Sequence, residues 1–182
     1  AVPSDPAEGR GLLRTAIRND NPVIFLEHKT LFKATGPVPE HDGPIPFDKA
    51  RIARPGKDVT LVVYGVMVSR ALEAAQALAA EGIDAEVVDL RTLSPWDKES
   101  VLSSVRKTGR AVVAHEAVRQ GGFGSSDAAA LTAEAASELT AEEAVEEAPP
   151  QPVRAAASIR EATDRETNCL QCINKIPQKF RI

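Results

Sequence analysis

The pattern of apolar and polar positions in the middle of the chain predicts three strands, each followed by a helix. Apolar runs flanked by polar residues occupy 59–65, 85–90 and 110–115, and such runs are typical of strands buried on both faces. Apolar residues then recur at helical spacing after the first run. A second helix is expected from Ser94, and a third from about Ser125.

Residues that favour helix ends define the boundaries of the first two of these helices. Gly82 is expected to end the first one, because glycine favours the position after a helix. Ser94 is the expected cap of the second, with Pro95 at the first helical position and Asp97 in a capping-box-like pair.

The beginning of the chain has a different pattern. Residues 4–18 predict a helix with Ser4 or Asp5 as its cap, and the four apolar residues 23–26 predict a short buried strand. Four prolines and two glycines then fall within residues 35–46. Since proline removes amide donors and fixes φ, this segment is interpreted as a linker.

Strands that alternate with helices through short connections predict a parallel sheet with helical crossovers. The expected fold class is therefore α/β, a three-layer sandwich with a mainly parallel sheet. We divide the chain into an incomplete first unit at 1–34, a linker at 35–56, the α/β domain at 57–140 and a tail at 141–182. The tail is rich in alanine and glutamate, and we expect it to be divergent and flexible.

The composition of the chain argues against a nucleic acid or a membrane as its partner. Apolar residues make up 43% of the chain, the formal net charge is −4, and no apolar run reaches the length of a membrane span. Lysine and arginine form no dense stripe, so neither nucleic acid nor a membrane is expected as a partner. The two cysteines, Cys169 and Cys172, form a single CxxC that we interpret as incidental, and a reducing, cytoplasmic compartment is expected.

The carboxyl ends of parallel strands meet at one edge of a sheet, where ligands commonly bind. This places Tyr64, residues 89–92, His115 and Glu116 along the same edge. His115 and Glu116 are either an acid–base pair or the polar end of a strand. Arg91 either binds an anion or pairs with a carboxylate, and the glycines of "GGFG" are interpreted as a structural turn.

The end of the first helix offers a second candidate site. The carbonyl groups of Ala16 and Ile17 lack partners within the helix, and Asn19 and Asn21 add further oxygens. From the residues alone, this is either ordinary helix capping or a site for a hard cation.

Four stretches together resemble one family: "DNPVIFLEHKTLF", "ARIARPGKDVTLVVYGVMV", "AEVVDLRTLSPWD" and "KTGRAVVAHEAVRQGGFG". In order and spacing they are similar to the beta subunit of the thiamine-diphosphate-dependent 2-oxo acid dehydrogenases. The resemblance implies that 57–140 is a transketolase-type C-terminal domain. It also implies that 1–34 is the end of the pyrimidine-binding domain that precedes it.

The same resemblance implies where the cofactor lies. Thiamine diphosphate and magnesium would be held by the alpha subunit and by the part of the beta subunit that precedes this sequence, so no cofactor-binding residue is assigned here. The implied partners are an alpha subunit, a second beta subunit and the dihydrolipoyl acyltransferase core.

The resemblance also implies a structural potassium ion held by residues that match Ala16, Ile17, Asn19 and Asn21. Many relatives have aspartate at the position of Asn19, so a neutral oxygen would replace a carboxylate ligand in this chain. A further ligand would come from outside the sequence.

Two functions follow from these expectations. The first is a portion of a 2-oxo acid dehydrogenase beta subunit of the branched-chain or pyruvate type, supplying scaffold and subunit contacts and inactive as an isolated chain. The second is a non-catalytic assembly or regulatory module of transketolase type. Catalytic residues stay unassigned, with His115 as a weak candidate. A bacterial cytoplasmic location is expected, with the mitochondrial matrix as the alternative.

Overall fold

The structure is a computed structural model, and it describes residues 1–37, 43–118 and 122–124. Within these residues a four-stranded sheet is combined with three α-helices and one short 3₁₀ helix at Lys29–Lys33. In chain order the other elements are α1 (Pro6–Arg18), β1 (Arg51–Arg54), β2 (Val59–Val63), α2 (Met67–Ala80), β3 (Ala85–Asp89), α3 (Lys98–Thr108) and β4 (Ala111–Val113).

The strands lie in the order β1-β3-β2-β4. β2 pairs in parallel with both β3 and β4, so that Leu61 lies opposite Val87 on one side and Val112 on the other. β1 is antiparallel to β3. The sheet is therefore mainly parallel, with one antiparallel strand at an edge.

Both faces of the sheet are covered by helices because alternate residues of each strand point to opposite sides. On one face, Leu61 and Val87 pack with Ala71 and Leu78 of α2. On the other face, a second cluster joins strand residues to α3 through Val101 and other side chains. These two clusters confirm the predicted three-layer α/β sandwich.

Three predicted helix boundaries can be compared with the structure. The cap of α1 is Asp5, one of the two predicted candidates, and its side chain accepts a hydrogen bond from the Glu8 N–H at 2.9 Å. α2 ends at Ala80, followed by Gly82 with a φ of 84°, as the glycine signal indicates. The predicted start of α3 at Ser94 is wrong: its cap is Asp97, whose side chain accepts a hydrogen bond from the Ser100 N–H at 3.1 Å. Asp97 acts as the cap because its carboxylate bonds the free amides of the first turn.

The predicted buried strand at 23–26 is wrong in this structure. These residues belong to no strand, and the side chains of Ile24 and Leu26 are 76% and 51% exposed. Among the described residues, only Ala1 lies alongside this segment to exchange backbone hydrogen bonds with it. A strand cannot form without a neighbour to complete its hydrogen bonds.

β1 was not predicted, and it lies inside the range 35–56 that the sequence assigns to a linker. The third helix predicted from Ser125, the tail at 141–182 and both cysteines fall outside the described residues. In the part of the chain that is described, no helix has the length and apolar character needed to cross a membrane.

Gly56 provides a test of the packing between the loop before β2 and the central strand β3. Its N–H donates to the buried carboxylate of Glu86 at 3.3 Å, and a Cβ at this position would overlap the backbone of Ala85 and Glu86. Gly56→Ala is expected to lower the free energy of unfolding by about 2 kcal/mol or more, because backbone atoms must move.

The matched control is Gly43→Ala, since a Cβ there would meet nothing within 4 Å. Urea denaturation of both variants measures the difference. Equal stabilities for the two alanine variants would contradict the described close approach.

Candidate functional site

The carboxyl ends of β2, β3 and β4 lie at one edge of the sheet, as the parallel pairing requires. The structure divides the residues predicted there into two groups. Aromatic side chains surround the ends of β2 and β4, whereas a cluster of charged side chains surrounds the end of β3.

The aromatic group is built around Tyr64. Its ring stacks on that of His115, with a centroid separation of 6.0 Å and an interplanar angle of 12°. Phe123 meets Tyr64 edge-on at 6.4 Å and Trp96 edge-on at 6.5 Å. The ring of His115 is thus stacked on that of Tyr64, and geometry of this kind contributes to packing.

Burial lowers the pKa of His115, because it disfavours the charged form of the imidazole. Its Nδ1 atom is buried and has no hydrogen-bond partner among the described residues. A Cβ at Gly122 or Gly124 would press against the imidazole ring. The glycines therefore permit a close approach to His115, which supports their interpretation as structural.

Glu116 contacts different residues from those that His115 contacts. Its carboxylate lies 3.0 Å from Nε2 of His28 and 3.9 Å from a guanidinium nitrogen of Arg70. Among the described residues, no ion pair or hydrogen bond joins Glu116 to His115. The predicted edge therefore holds both residues, but the described structure does not arrange them as an acid–base pair.

The charged cluster is centred on Asp89, the fully buried last residue of β3. The Ser4 hydroxyl donates to Oδ2 at 2.6 Å, and Nη2 of Arg51 donates to the same atom at 3.3 Å. The Arg91 N–H donates to Oδ1 at 3.1 Å. Both carboxyl oxygens are thus satisfied by donors from three different parts of the chain.

Glu8 of α1, which is also buried, links the two arginines of this cluster. Nη2 of Arg91 donates to Oε1 of Glu8 at 2.6 Å, and Nη1 of Arg51 lies 3.2 Å from the same oxygen. Nε of Arg91 also lies 2.6 Å from Oε2, as an ion pair whose geometry is not that of a hydrogen bond. Arg91 therefore pairs with a carboxylate, one of the two interpretations that its position suggested.

Arg91 adopts a φ of 59°, in the left-handed region that side-chain-bearing residues rarely occupy. A residue keeps such a backbone only where its surroundings fix it. Here the fixed points are the Glu8 carboxylate and the Arg91 N–H to Asp89.

Burial raises the pKa of Asp89 to about 6, against the opposing effects of the Ser4 hydroxyl and Arg51. Among the neighbouring charges, the Glu8 carboxylate also raises this pKa, but it acts less strongly than Arg51, which lowers it. Burial is therefore the main cause of the raised pKa.

The second candidate site, at the end of α1, is exposed. The Ala16 carbonyl accepts the Asn19 N–H at 3.3 Å, and Oδ1 of Asn19 accepts the Asn21 N–H at 2.9 Å. Ile17 is 74% exposed. The four predicted ligands thus form a helix end with neutral oxygen atoms, and each oxygen has a further lone pair available.

Acidic, histidine and cysteine side chains do not assemble into a metal site in the part of the chain that the structure describes: no group of three or more is placed to hold an ion. Sequence reasoning missed the roles of Glu8 and Arg51. Two features of these residues could have indicated the roles. Glu8 is a carboxylate in the first turn of a helix, and Arg51 is an arginine beside a central strand.

The described architecture defines an α/β domain in which a mainly parallel sheet lies between helices, with its carboxyl edge closed by aromatic and charged clusters. The sequence profile of the family described as "Transketolase, C-terminal domain" matches residues 48–162. The chain belongs to this family.

Relatives confirm the resemblance to the beta subunits of 2-oxo acid dehydrogenases. The chain is 47% identical over 123 residues to the pyruvate dehydrogenase E1 component subunit beta of Bacillus subtilis, covering 67% of this chain and 38% of that protein. It is 39% identical over 181 residues to the protein of the same name from Staphylococcus aureus, covering 99% and 54%.

A third relative is the acetoin:2,6-dichlorophenolindophenol oxidoreductase subunit beta of Cupriavidus necator, 60% identical over 115 residues, which are 63% of this chain and 34% of that protein. The chain thus spans between about a third and just over half of these relatives.

Among solved structures, the chain is similar to one titled "Split gene transketolase, inactive beta4 tetramer". The TM-score is 0.64 at 39% sequence identity, covering 73% of this chain and 43% of the other. This likeness agrees with the fold described above.

The charged cluster predicts a specific dependence of stability on pH. Because the pKa of Asp89 is raised from 3.8 to about 6, the folded state binds its proton more tightly than the unfolded state. This tighter proton binding stabilises the folded state by roughly 3 kcal/mol below pH 3.8, and the stabilisation is lost as pH rises to about 6. Asp89→Asn is expected to remove this slope from the unfolding free energy measured by urea denaturation.

Ser4→Ala is the matched variant, since it removes a hydroxyl that lowers the pKa of Asp89. In Ser4→Ala, the fall of the unfolding free energy with rising pH should therefore continue to a higher pH than in the unmodified chain. Parallel pH profiles for the unmodified chain and Asp89→Asn would contradict this account of the cluster.

Proposed function

We propose that the chain is part of the beta subunit of a thiamine-diphosphate-dependent enzyme that oxidatively decarboxylates a 2-oxo acid, pyruvate or a branched-chain 2-oxo acid, and passes the acyl group to lipoamide. The observation that carries the proposal is the similarity over 181 residues to a pyruvate dehydrogenase beta subunit. That similarity includes both the N-terminal segment and the α/β domain.

The role proposed for this part of the subunit is structural. The Asp89 carboxylate accepts donors from Ser4 and Arg51, and Glu8 holds Arg91. These contacts fix α1 and the residues before it against the carboxyl edge of the sheet. The α/β domain would in this way orient the preceding domain, where the resemblance places part of the thiamine diphosphate site.

Thiamine diphosphate, when bound, supplies the carbanion that attacks the substrate carbonyl, and the protein supplies orientation and electrostatics. By the same resemblance, the alpha subunit and the rest of the beta subunit would hold the cofactor and its ion. The proposed partners are therefore an alpha subunit, a second beta subunit and the acyltransferase core.

A second substrate has support from one relative. The beta subunit that is 60% identical over 115 residues is named for acetoin and 2,6-dichlorophenolindophenol. Acetoin, like a 2-oxo acid, has a carbonyl carbon next to a carbon–carbon bond that can be cleaved. The names of the relatives support an enzyme part over the non-catalytic module.

The test uses the full-length subunit that contains this chain, combined with an alpha subunit, thiamine diphosphate and magnesium. We expect reduction of 2,6-dichlorophenolindophenol with one of three substrates: pyruvate, 3-methyl-2-oxobutanoate or acetoin. The chain of residues 1–182 with the same alpha subunit is the control, and it should give no turnover. A correctly assembled full-length complex that is inactive on all three substrates would refute the enzyme proposal.

The potassium site remains a proposal of its own. Its support is the donor set, since carbonyl and amide oxygens at the negative end of α1 are ligands that a hard cation accepts. Ala16, Ile17, Asn19 and Asn21 would hold the ion together with a ligand from elsewhere in the subunit.

In the full-length subunit, a higher melting temperature is expected in KCl than in choline chloride at equal ionic strength. Asn19→Asp should enlarge the difference, because a carboxylate binds a cation more strongly than an amide oxygen. Gln76→Ala, an exposed change on α2, serves as the control and should leave the difference unchanged. Identical melting in both salts for the unmodified subunit and for Asn19→Asp would exclude the site.

A further inference from the structure

Residues 44–50, which lead into β1, form a strap that packs on α1 through Ile45. The Ile45 N–H donates to the Gly11 carbonyl at 3.1 Å, and the Thr15 hydroxyl donates to the Ile45 carbonyl. The Ile45 side chain lies against Gly11, where a Cβ would overlap it. Both neighbours of Ile45 are prolines and have no N–H, so the Ile45 amide fixes the register of the strap on the helix.

The other end of the strap is bonded to the segment between β3 and α3. The Asp48 N–H donates to the Thr92 hydroxyl oxygen at 3.1 Å, and the Ala50 N–H donates to the Asp97 carboxylate at 3.0 Å. Asp48 has a φ of 62°, in the left-handed region that side chains disfavour, so its contacts must hold this conformation. The strap therefore connects α1 to the edge of the sheet.

β1 begins directly after the strap and contributes little to the apolar core. It is a four-residue strand at the edge of the sheet. Among the described side chains of β1, Ala53 alone packs against a core cluster, and Ile52 is 43% exposed. A short edge strand with so little buried apolar surface needs further contacts to stay paired.

Those further contacts reach α1 through Arg51, the first residue of β1. Nη1 of Arg51 lies 3.2 Å from the buried Glu8 carboxylate. Nη2 lies 3.0 Å from the carboxylate of Asp5, which caps α1, and donates to Asp89 at the end of β3. Arg51 can contact all three carboxylates together only when α1 lies in place and β1 is paired with β3.

We propose that β1 is a conditional strand, which pairs with β3 while α1 lies in place and separates from β3 when α1 moves away. α1, the strap and β1 would open as one cooperative unit. The core would stay closed, because among the described residues neither core cluster includes a side chain of α1. Opening would uncover backbone donors and acceptors of β3, an edge with which another strand can pair.

Hydrogen exchange of the unmodified chain, residues 1–182, at single amides and in low urea concentrations tests the cooperative unit. We expect Ile45 and the hydrogen-bonded amides of α1 and β1 to share one free energy of opening. Those of β2 should open at a higher free energy. Amides of β1 that open together with β2, or an Ile45 amide that opens while β1 stays protected, would overturn the proposal.

Gly11→Ala perturbs the unit from the α1 end, because the added Cβ would overlap Ile45. We expect exchange in β1 to accelerate by about 10-fold or more, with exchange in β2 unchanged. Gly9→Ala is the matched control on the same helix. Its Cβ would lie 3.9 Å from Pro3, an ordinary contact, so it should not accelerate exchange in β1. Accelerated exchange at Ile45 without any change in β1 would refute the coupling.

Ile52→Gly perturbs the unit from the opposite end, at an exposed position of β1. Since coupling between two sites is reciprocal, exchange at Ile45 should accelerate together with exchange in β1. An effect confined to β1 would contradict the proposal. If a variant fails to fold, or if Gly11→Ala leaves Ile45 protected, the urea-dependent exchange of the unmodified chain decides the question. None of these measurements involves turnover, so the proposal is tested separately from the proposed function.

Discussion

The attachment of the N-terminal segment to the α/β domain depends on one buried carboxylate. Asp89 ends the central strand β3 with no exposure to solvent, and an unpaired buried charge would be strongly destabilising. Ser4, Arg51 and the backbone of Arg91 supply its donors. Because these groups come from separate parts of the chain, satisfying one side chain fixes several elements at once.

This arrangement changes how the carboxyl edge of the sheet is understood. In parallel sheets that edge is the usual place for ligands, and the sequence placed its candidate residues there. Here the end of β3 is taken up by ion pairs, and His115 packs on Tyr64 at the end of β2. Among the described residues this edge therefore holds the N-terminal segment against the α/β domain, which agrees with the scaffold role proposed above.

The two parts of the described chain differ in how complete their packing is. The α/β domain buries apolar side chains on both faces of its sheet, beneath α2 and α3. The N-terminal segment buries Leu12 but leaves Ile17 and Ile24 largely exposed. Within the described residues, the exposed large apolar side chains are therefore concentrated in the N-terminal segment.

The sequence by itself determined β2, β3, β4 and α2, because each is a local run whose apolar period matches its structure. Tertiary structure decided what depends on distant partners. β1 forms because Arg51 and Ile52 pair with β3, although its own sequence, RIAR, lacks a clear pattern. Glu116 pairs with His28 and Arg70 rather than with the adjacent histidine. Local periodicity reports which side chains avoid water, but only the folded chain determines which charges and strand edges meet.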